Sequence, residues 1–231
     1  MKDVAFERPS LTDVAYQEIR NSILIGSILP GQKLVVNDLV DRWQISNTPI
    51  KEALNRLVAE GLVEAVPRRG MRVRLPSARE LREFFEIRIL YETHCCRLAV
   101  DRIDDNKQVL EELRSTLDKS RDILTDERSY LMQFQFDEIF HMLLVGLSGN
   151  ETLIKDFDKL HANILIVGIH ASKRAPLRRQ EETFKEHEKV LRGLVERSPE
   201  IMVEAMREHL GNTADSLLRL YHPDSGRIIK K

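Results

Sequence analysis

The sequence predicts a mainly α-helical protein in two parts, an N-terminal winged helix-turn-helix and a C-terminal antiparallel all-helical bundle. Three observations carry this expectation. The first 75 residues hold three short amphipathic helical patterns, then two strand-like runs around Pro67-Arg68-Arg69-Gly70. Everything after Pro76 shows helical periodicity alone, in six segments. Four arginines, Arg68, Arg69, Arg72 and Arg74, crowd into the seven residues of the hairpin.

Each element has a local reason. Thr12 is placed to cap a first helix whose apolar face is Ala15, Ile19 and Ile23, ended by Gly26. Leu29-Pro30-Gly31 is a turn signal. Asn37 is placed to cap a second helix holding Leu39, Val40 and Trp43. Thr48 as N-cap, with Pro49 at the first helical position where a missing N–H costs nothing, opens a third. Ile50, Ala53, Leu54 and Leu57 form its apolar face, and residues 62–66 and 71–75 read as strands. Ser77 and Glu80 then make a capping box for a long helix to about residue 101. Helical segments follow over about 106–124, 128–148, 150–172, 178–196 and 200–221, the last announced by Ser198-Pro199. The expected domains are therefore residues 1–76 and 77–231.

Composition limits the partners. No run approaches the roughly 20 apolar residues that a membrane helix needs, and the acidic N-terminal stretch lacks the apolar core of a signal peptide. Cys95 and Cys96 are adjacent, which points to free thiols lining a helix core in a reducing cytoplasm. Net charge is −1, so the whole chain does not announce a nucleic-acid partner. Its distribution is more informative. Up to Pro76 there are 11 Lys/Arg against 9 Asp/Glu, and beyond it 25 against 28. Positive charge concentrated on one hairpin suits a protein that meets phosphate there, although tri-helical cores also serve in protein binding.

The stretch LPGQKLVVNDLVDRWQISNTPIKEALNRLVAEGLVEAVPRRGMRV resembles the GntR-type DNA-binding domain. The Pro-Gly lead, the Ser-x-x-Pro turn, the Lys-Glu-Ala-Leu helix, the Glu-Gly-Leu exit and the Pro-x-x-Gly wing carry the likeness over about residues 10–76. The resemblance implies double-stranded DNA as partner, with a palindromic operator gripped by a homodimer. Many members carry arginine where this chain has Asn47 and Lys51. A guanidinium reads guanine bidentately and lysine does not, so a different half-site is expected. Thr48 is expected on phosphate, Asn47 and Lys51 near base edges, and Arg56 on the backbone. Arg68, Arg69 and Arg72 are expected as wing contacts, whereas Arg74 reads as an ordinary surface charge.

In the second part, Asp137 and His141 stand four residues apart on a face shared with Phe134, Leu144 and Val145. His187 shares a face with Phe184, Val190, Leu191 and Leu194, and His209 shares one with Met202, Met206 and Leu217. Three helices thus turn one carboxylate and three imidazoles inward, a donor set suited to a divalent transition ion. Core histidines bonded to carbonyls, and a plain Asp137–His141 pair, are the alternatives. The blocks FDEIFHMLLVGLSGN, KEHEKVLRGL and AMREHL resemble the FCD ligand-binding domain of FadR-like GntR regulators. Members with all four positions bind a metal, which implies zinc first, or nickel, manganese or iron, at Asp137, His141, His187 and His209. The block FEIRILYE resembles the first helix of that domain, whose arginine, here Arg88, meets the carboxylate of a small organic-acid effector. Pairing with Glu92, one turn on, is the plain alternative for Arg88. His161 reads as packing or as a lesser pocket residue.

The expected function is a cytoplasmic transcription regulator, not an enzyme, whose operator affinity a small carboxylate weakens. Two other readings stand beside it. One is a metal-dependent hydrolase or oxygenase using the Asp/His site, and the other is a regulator whose metal is purely structural.

Overall fold

The computed structural model describes residues 9–124, 130–171 and 177–220, and it divides into two compact units between Leu75 and Pro76. The first unit runs α1 (Leu11–Leu24), β1 (Lys33–Leu34), α2 (Val36–Trp43), α3 (Asn47–Ala59), β2 (Val63–Val66) and β3 (Gly70–Val73). Its core is where the apolar spacing puts it. Ala15, Ile19 and Ile23 of α1 close on Ile50, Ala53, Leu54 and Leu57 of α3, all of them fully buried.

The helix starts differ from the local cap signals. Ser10 caps α1 by accepting from the Asp13 N–H at 3.1 Å, while Thr12 instead donates to Glu52 Oε2 at 2.7 Å and ties α1 to α3. The second helix begins at Val36, with Asn37 inside its first turn and no side-chain cap. The third begins at Asn47 after Ser46, so Pro49 is its third residue, still within the turn whose N–H groups have no helical partner. Between α2 and α3, Gln44 takes a left-handed conformation (φ 55°) and its N–H donates to Val40 O at 2.8 Å. This reverses the chain within three residues and sends Ile45 into the core.

The hairpin β2–β3 is joined on its other edge by β1, giving the antiparallel order β1-β3-β2 with Lys33 and Glu64 both opposite Arg72. Two residues are too few to show an alternating pattern, so sequence periodicity does not reveal β1. At the tip, Arg68 (φ 62°) and Gly70 (φ 87°) turn the chain, leaving Arg68 and Arg69 exposed.

The second unit is an antiparallel helical bundle. Its helices are α4 (Ala78–Arg102), α5 (Lys107–Asp122), α6 (Tyr130–Gly146), α7 (Glu151–Ala171), α8 (Leu177–Val195) and α9 (Pro199–Leu220). The expected limits at 128, 172 and 221 lie outside the described residues. Both halves of the Ser77–Glu80 capping box form, and α4 runs on for 25 residues into a short 3₁₀ turn, Ile103–Asp105. Cys95 and Cys96 are buried free thiols on its inner face, and burial pushes Cys95 up to about 11. Among the described residues no helix is long and apolar enough to cross a membrane.

The last two helices bring His187 and His209 together, and one glycine lets them approach. A Cβ on Gly193 would lie 2.6 Å from the Met202 backbone nitrogen, too close for any side chain to yield. Gly193→Ala is therefore expected to lower unfolding free energy by about 1–3 kcal/mol, the range for overpacking a core, in urea denaturation of the purified protein. A shift below about 0.5 kcal/mol, the size of a neutral surface change, would show that the helix pair tolerates separation there.

Candidate functional site

Four side chains from three helices converge inside the bundle. The Nε2 atoms of His141, His187 and His209 stand 3.1–3.3 Å apart. Asp137 Oδ1 lies 3.6 Å from His141 Nε2, 3.4 Å from His187 Nε2 and 3.8 Å from His209 Nε2. The three imidazoles are buried and the aspartate is nearly so. His187 is held flat by Phe140, their rings stacked at 4.4 Å.

Second partners decide what these nitrogens can do. His141 Nδ1 meets Glu92 Oε2 of α4, and Glu92 Oε1 in turn accepts from Arg88 Nε at 2.6 Å. His209 Nδ1 meets Glu186 Oε2 at 2.9 Å, and Glu186 is gripped by both terminal nitrogens of Arg179 at 2.8–2.9 Å and by Asn212 Nδ2 at 2.8 Å. A neutral imidazole that donates from Nδ1 presents a lone pair at Nε2. Two carboxylates thus favour the tautomers of His141 and His209 whose unprotonated Nε2 atoms face one another at 3.1 Å. Such an arrangement is repulsive unless a proton or a cation lies among them. A metal–nitrogen bond of about 2.0–2.1 Å sets neighbouring ligand atoms about 2.9–3.4 Å apart, which the three nitrogens match. The donor set fits a divalent ion, and carboxylate–histidine pairs are the outer support that such ions have.

Electrostatics keep the three carboxylates of the centre ionised. Burial pushes Glu92 up, but the Arg88 guanidinium and then His141 bring it down to about 2. Glu186 follows the same course to about 2, through His209 and Arg179. Asp137 is held well below its usual range because His141 and His187 outweigh its burial. Burial, and then the neighbouring His187, push His209 down to about 3. Burial pulls His141 down as well, yet Glu92 and Asp137 carry it above its ordinary value.

His161 packs against Phe157, the rings stacked at 5.5 Å, and neither of its ring nitrogens has a hydrogen-bond partner. Burial and the charge of Arg88 push it from 6.5 to about 3. Between those values the unfolded chain binds a proton that the folded chain refuses, so this contribution to stability is complete above about pH 6.5 and is lost as pH falls towards 3. Metal-stripped protein is expected to lose about 1–2 kcal/mol between pH 6.5 and 5 from this residue. His161→Phe should flatten that slope in melts across the interval, and an unchanged slope would remove His161 from the account.

The remaining expected residues fall into two groups. On α3, Asn47, Thr48 and Lys51 are exposed at the helix start, where no acidic residue and no side-chain cap engages the first-turn N–H groups. Arg68 and Arg69 are exposed at the hairpin tip. By contrast, Arg56 Nη1 is tied to Asp13 at 2.6 Å and its guanidinium lies 4.2 Å over the Tyr16 ring. Arg72 pairs across the hairpin with Glu64 at 2.6 Å. Any phosphate contact by these two competes with an existing pair. Arg88 is fully buried between the rings of Phe85 and Phe157 and takes up the pair with Glu92, leaving its Nη2 without a partner.

Sequence reasoning missed the supporting groups. Glu92 is visible only as a partner for Arg88, and Glu186 only as the residue before His187. That Glu186 reaches His209 instead is a product of α8–α9 packing. It also missed a cavity of about 60 Å³ that reaches Asp137 and His187 and is lined by residues of α5, α6, α8 and α9.

The described residues thus form a winged helix-turn-helix unit and a helical bundle that holds a buried histidine–carboxylate centre. Residues 11–73 match the gntR family of bacterial regulatory proteins and residues 83–212 match the FCD domain. The chain belongs to the GntR family of transcription regulators, in the group that carries an FCD domain. It is 35% identical over 127 residues to the Nta operon transcriptional regulator of Aminobacter aminovorans, a match spanning 54% of this chain and 58% of that protein. It is 26% identical to the repressor GlaR of Escherichia coli K12, over 84% of this chain and 90% of that one. The solved structure of E. coli McbR/YncC shares the fold with a TM-score of 0.82 at 22% identity, covering 93% of this chain and all of the other (100%). With both domains and these relatives being regulators, the hydrolase or oxygenase reading falls away.

Proposed function

We propose that this regulator binds a palindromic operator as a cytoplasmic homodimer and that a small carboxylate, seated beside a divalent metal, weakens that binding. The observation that supports the metal is the meeting of three imidazole Nε2 atoms, two of whose rings, His141 and His209, are oriented from behind by Glu92 and Glu186. Asp137, His141, His187 and His209 would hold the ion, zinc before nickel, manganese or iron. Four protein donors leave positions open on a five- or six-coordinate ion, and an acid's carboxylate suits such a position. Arg88 supports the acid reading, because a fully buried guanidinium nitrogen without a partner is costly until an anion meets it.

On the DNA side, Asn47 and Lys51 are assigned to base edges, Thr48 and the start of α3 to phosphate, and Arg68 and Arg69 to the wing's groove contacts. Arg72 and Arg56 are assigned lesser roles on the backbone because each already holds a carboxylate. A second copy of the chain has an apolar surface to cover on α4, where Leu90 is 69% and Ile87 39% exposed. Leu90→Glu is expected to shift the protein to monomers in sedimentation, and a persistent dimer would place the interface elsewhere.

The test of the central reading is metal analysis of protein prepared without chelator, followed by operator titration with and without saturating acid. About one ion per chain and weaker operator binding in the acid support the proposal. Protein that purifies metal-free and takes up none would overturn it, and unchanged operator affinity at saturating acid would leave the ion a structural staple. For the acid to regulate, it must bind the DNA-competent and DNA-incompetent forms with different affinity.

A further inference from the structure

The polar side chains that α3 turns outward are Asn47, Thr48, Lys51, Glu52, Asn55 and Arg56. Helix α1 takes two of them out of use. Thr12 donates to Glu52 Oε2 at 2.7 Å, and Arg56 Nη1 meets Asp13 at 2.6 Å while its guanidinium lies over the Tyr16 ring. Those ties draw the helix's exposed carboxylate and guanidinium towards α1. Among the described residues, Asn47, Lys51 and Asn55 hold no side-chain hydrogen bond or ion pair. Asn47 and Lys51 stand four residues apart, hence one above the other at the helix start. Asn55 lies two turns up and about 80° round the axis from Asn47. In a helix-turn-helix the first residues of the recognition helix meet the base edges, so Asn47 and Lys51 are the pair placed to read.

Their chemistries select different bases. A carboxamide offers one donor and one acceptor in a plane, which matches the N6 amino group and N7 of adenine. Against guanine, whose N7 and O6 both accept, the amide oxygen would face another acceptor. An ammonium only donates, so it suits guanine N7 and O6 and is opposed by the amino group of adenine. Four residues of helix rise about 6 Å, and base pairs repeat about every 3.4 Å, which puts the two contacts within about two base pairs of each other. We infer that each half-site presents an adenine to Asn47 and, within about two base pairs, a guanine to Lys51. This rests on the base-edge assignment above and adds the identity of the bases to it.

The experiment selects operators from random duplex DNA with the full chain and its Asn47→Arg and Lys51→Gln variants. Both positions are exposed, so the variants are expected to fold as wild type does. Wild type is expected to enrich one palindrome with that adenine and guanine in each half. Asn47→Arg should turn the adenine into guanine and keep the other position, because a guanidinium pairs bidentately with guanine. Lys51→Gln should turn the guanine into adenine and keep the first position. In titrations, wild type should prefer its own operator over the form with that A·T pair changed to G·C by about 10- to 100-fold. Asn47→Ala should lose most of that preference. An operator left unchanged by Asn47→Arg, or a preference that survives in Asn47→Ala, would place Asn47 on phosphate and overturn the inference. The same guanine selected by Lys51→Gln would overturn the assignment to Lys51. A palindrome without an adenine at the position that Asn47→Arg alters would overturn the named base while leaving the base-edge reading in place. Failure of wild type to enrich any sequence would overturn that reading and this inference with it.

Discussion

Replacing His209 by alanine is expected to weaken zinc binding by at least about a thousandfold in competition with a chromophoric chelator. The residue offers one of three convergent Nε2 atoms in a cluster of four donors, Asp137, His141, His187 and His209. Its loss also leaves Glu186 without its imidazole partner. Glu186→Gln removes only that outer support and is expected to cost less, about 10- to 100-fold. Stability follows from the same equilibrium. Metal at a thousand times its dissociation constant stabilises the folded chain by about 4 kcal/mol, and a thousandfold weaker site would retain less than about 0.5 kcal/mol at the same concentration. Wild type should therefore melt well above its chelator-treated form, and His209→Ala should melt at one temperature with or without zinc. Were these three histidines ordinary core residues, wild type would show no zinc-dependent rise in the first place.

The second large effect is expected at the wing. Arg68 and Arg69 project from a tight turn with no carboxylate recorded against them, unlike Arg72 and Arg56, whose guanidinium groups already pair with Glu64 and Asp13. The double variant Arg68→Ala, Arg69→Ala is expected to bind operator about 10- to 100-fold more weakly at moderate salt. Each lost phosphate contact lowers the slope of log affinity against log salt by about 0.9, so the double variant should flatten it by nearly 2. Arg72→Ala should do less, since removing it also frees Glu64. A double variant with unchanged affinity and slope would mean that the wing stays off the DNA and that α3 carries recognition alone. A loss confined to certain operator sequences would instead point to base or groove-shape reading by these arginines.

Much of the architecture was legible from periodicity and punctuation. The tri-helical core follows from the spacing of Ala15, Ile19 and Ile23 against Ile50, Ala53, Leu54 and Leu57, and α4 begins where Ser77 and Glu80 say it should. These are local rules, in which a residue's role depends on neighbours within one helical turn. Helices α1 and α3 begin at Leu11 and Asn47, each two residues before the start that Thr12 or Thr48 as cap would set. Thr12 had a better partner in Glu52, and a two-residue strand such as β1 exists only because β3 offers it an edge.

The centre shows the same division. That Asp137, His141, His187 and His209 face inward is a property of the sequence, since each lies on the apolar stripe of its own helix. Their meeting at about 3 Å was decided by packing, including an α8–α9 approach that Gly193 makes close enough. The carboxylates that fix the imidazole tautomers, Glu92 and Glu186, sit 49 and 23 residues from the histidines they hold. The cavity behind them draws on four helices. Hydrogen-bond partners and empty space arise between elements, and periodicity within one element carries no information about what the next will bring against it.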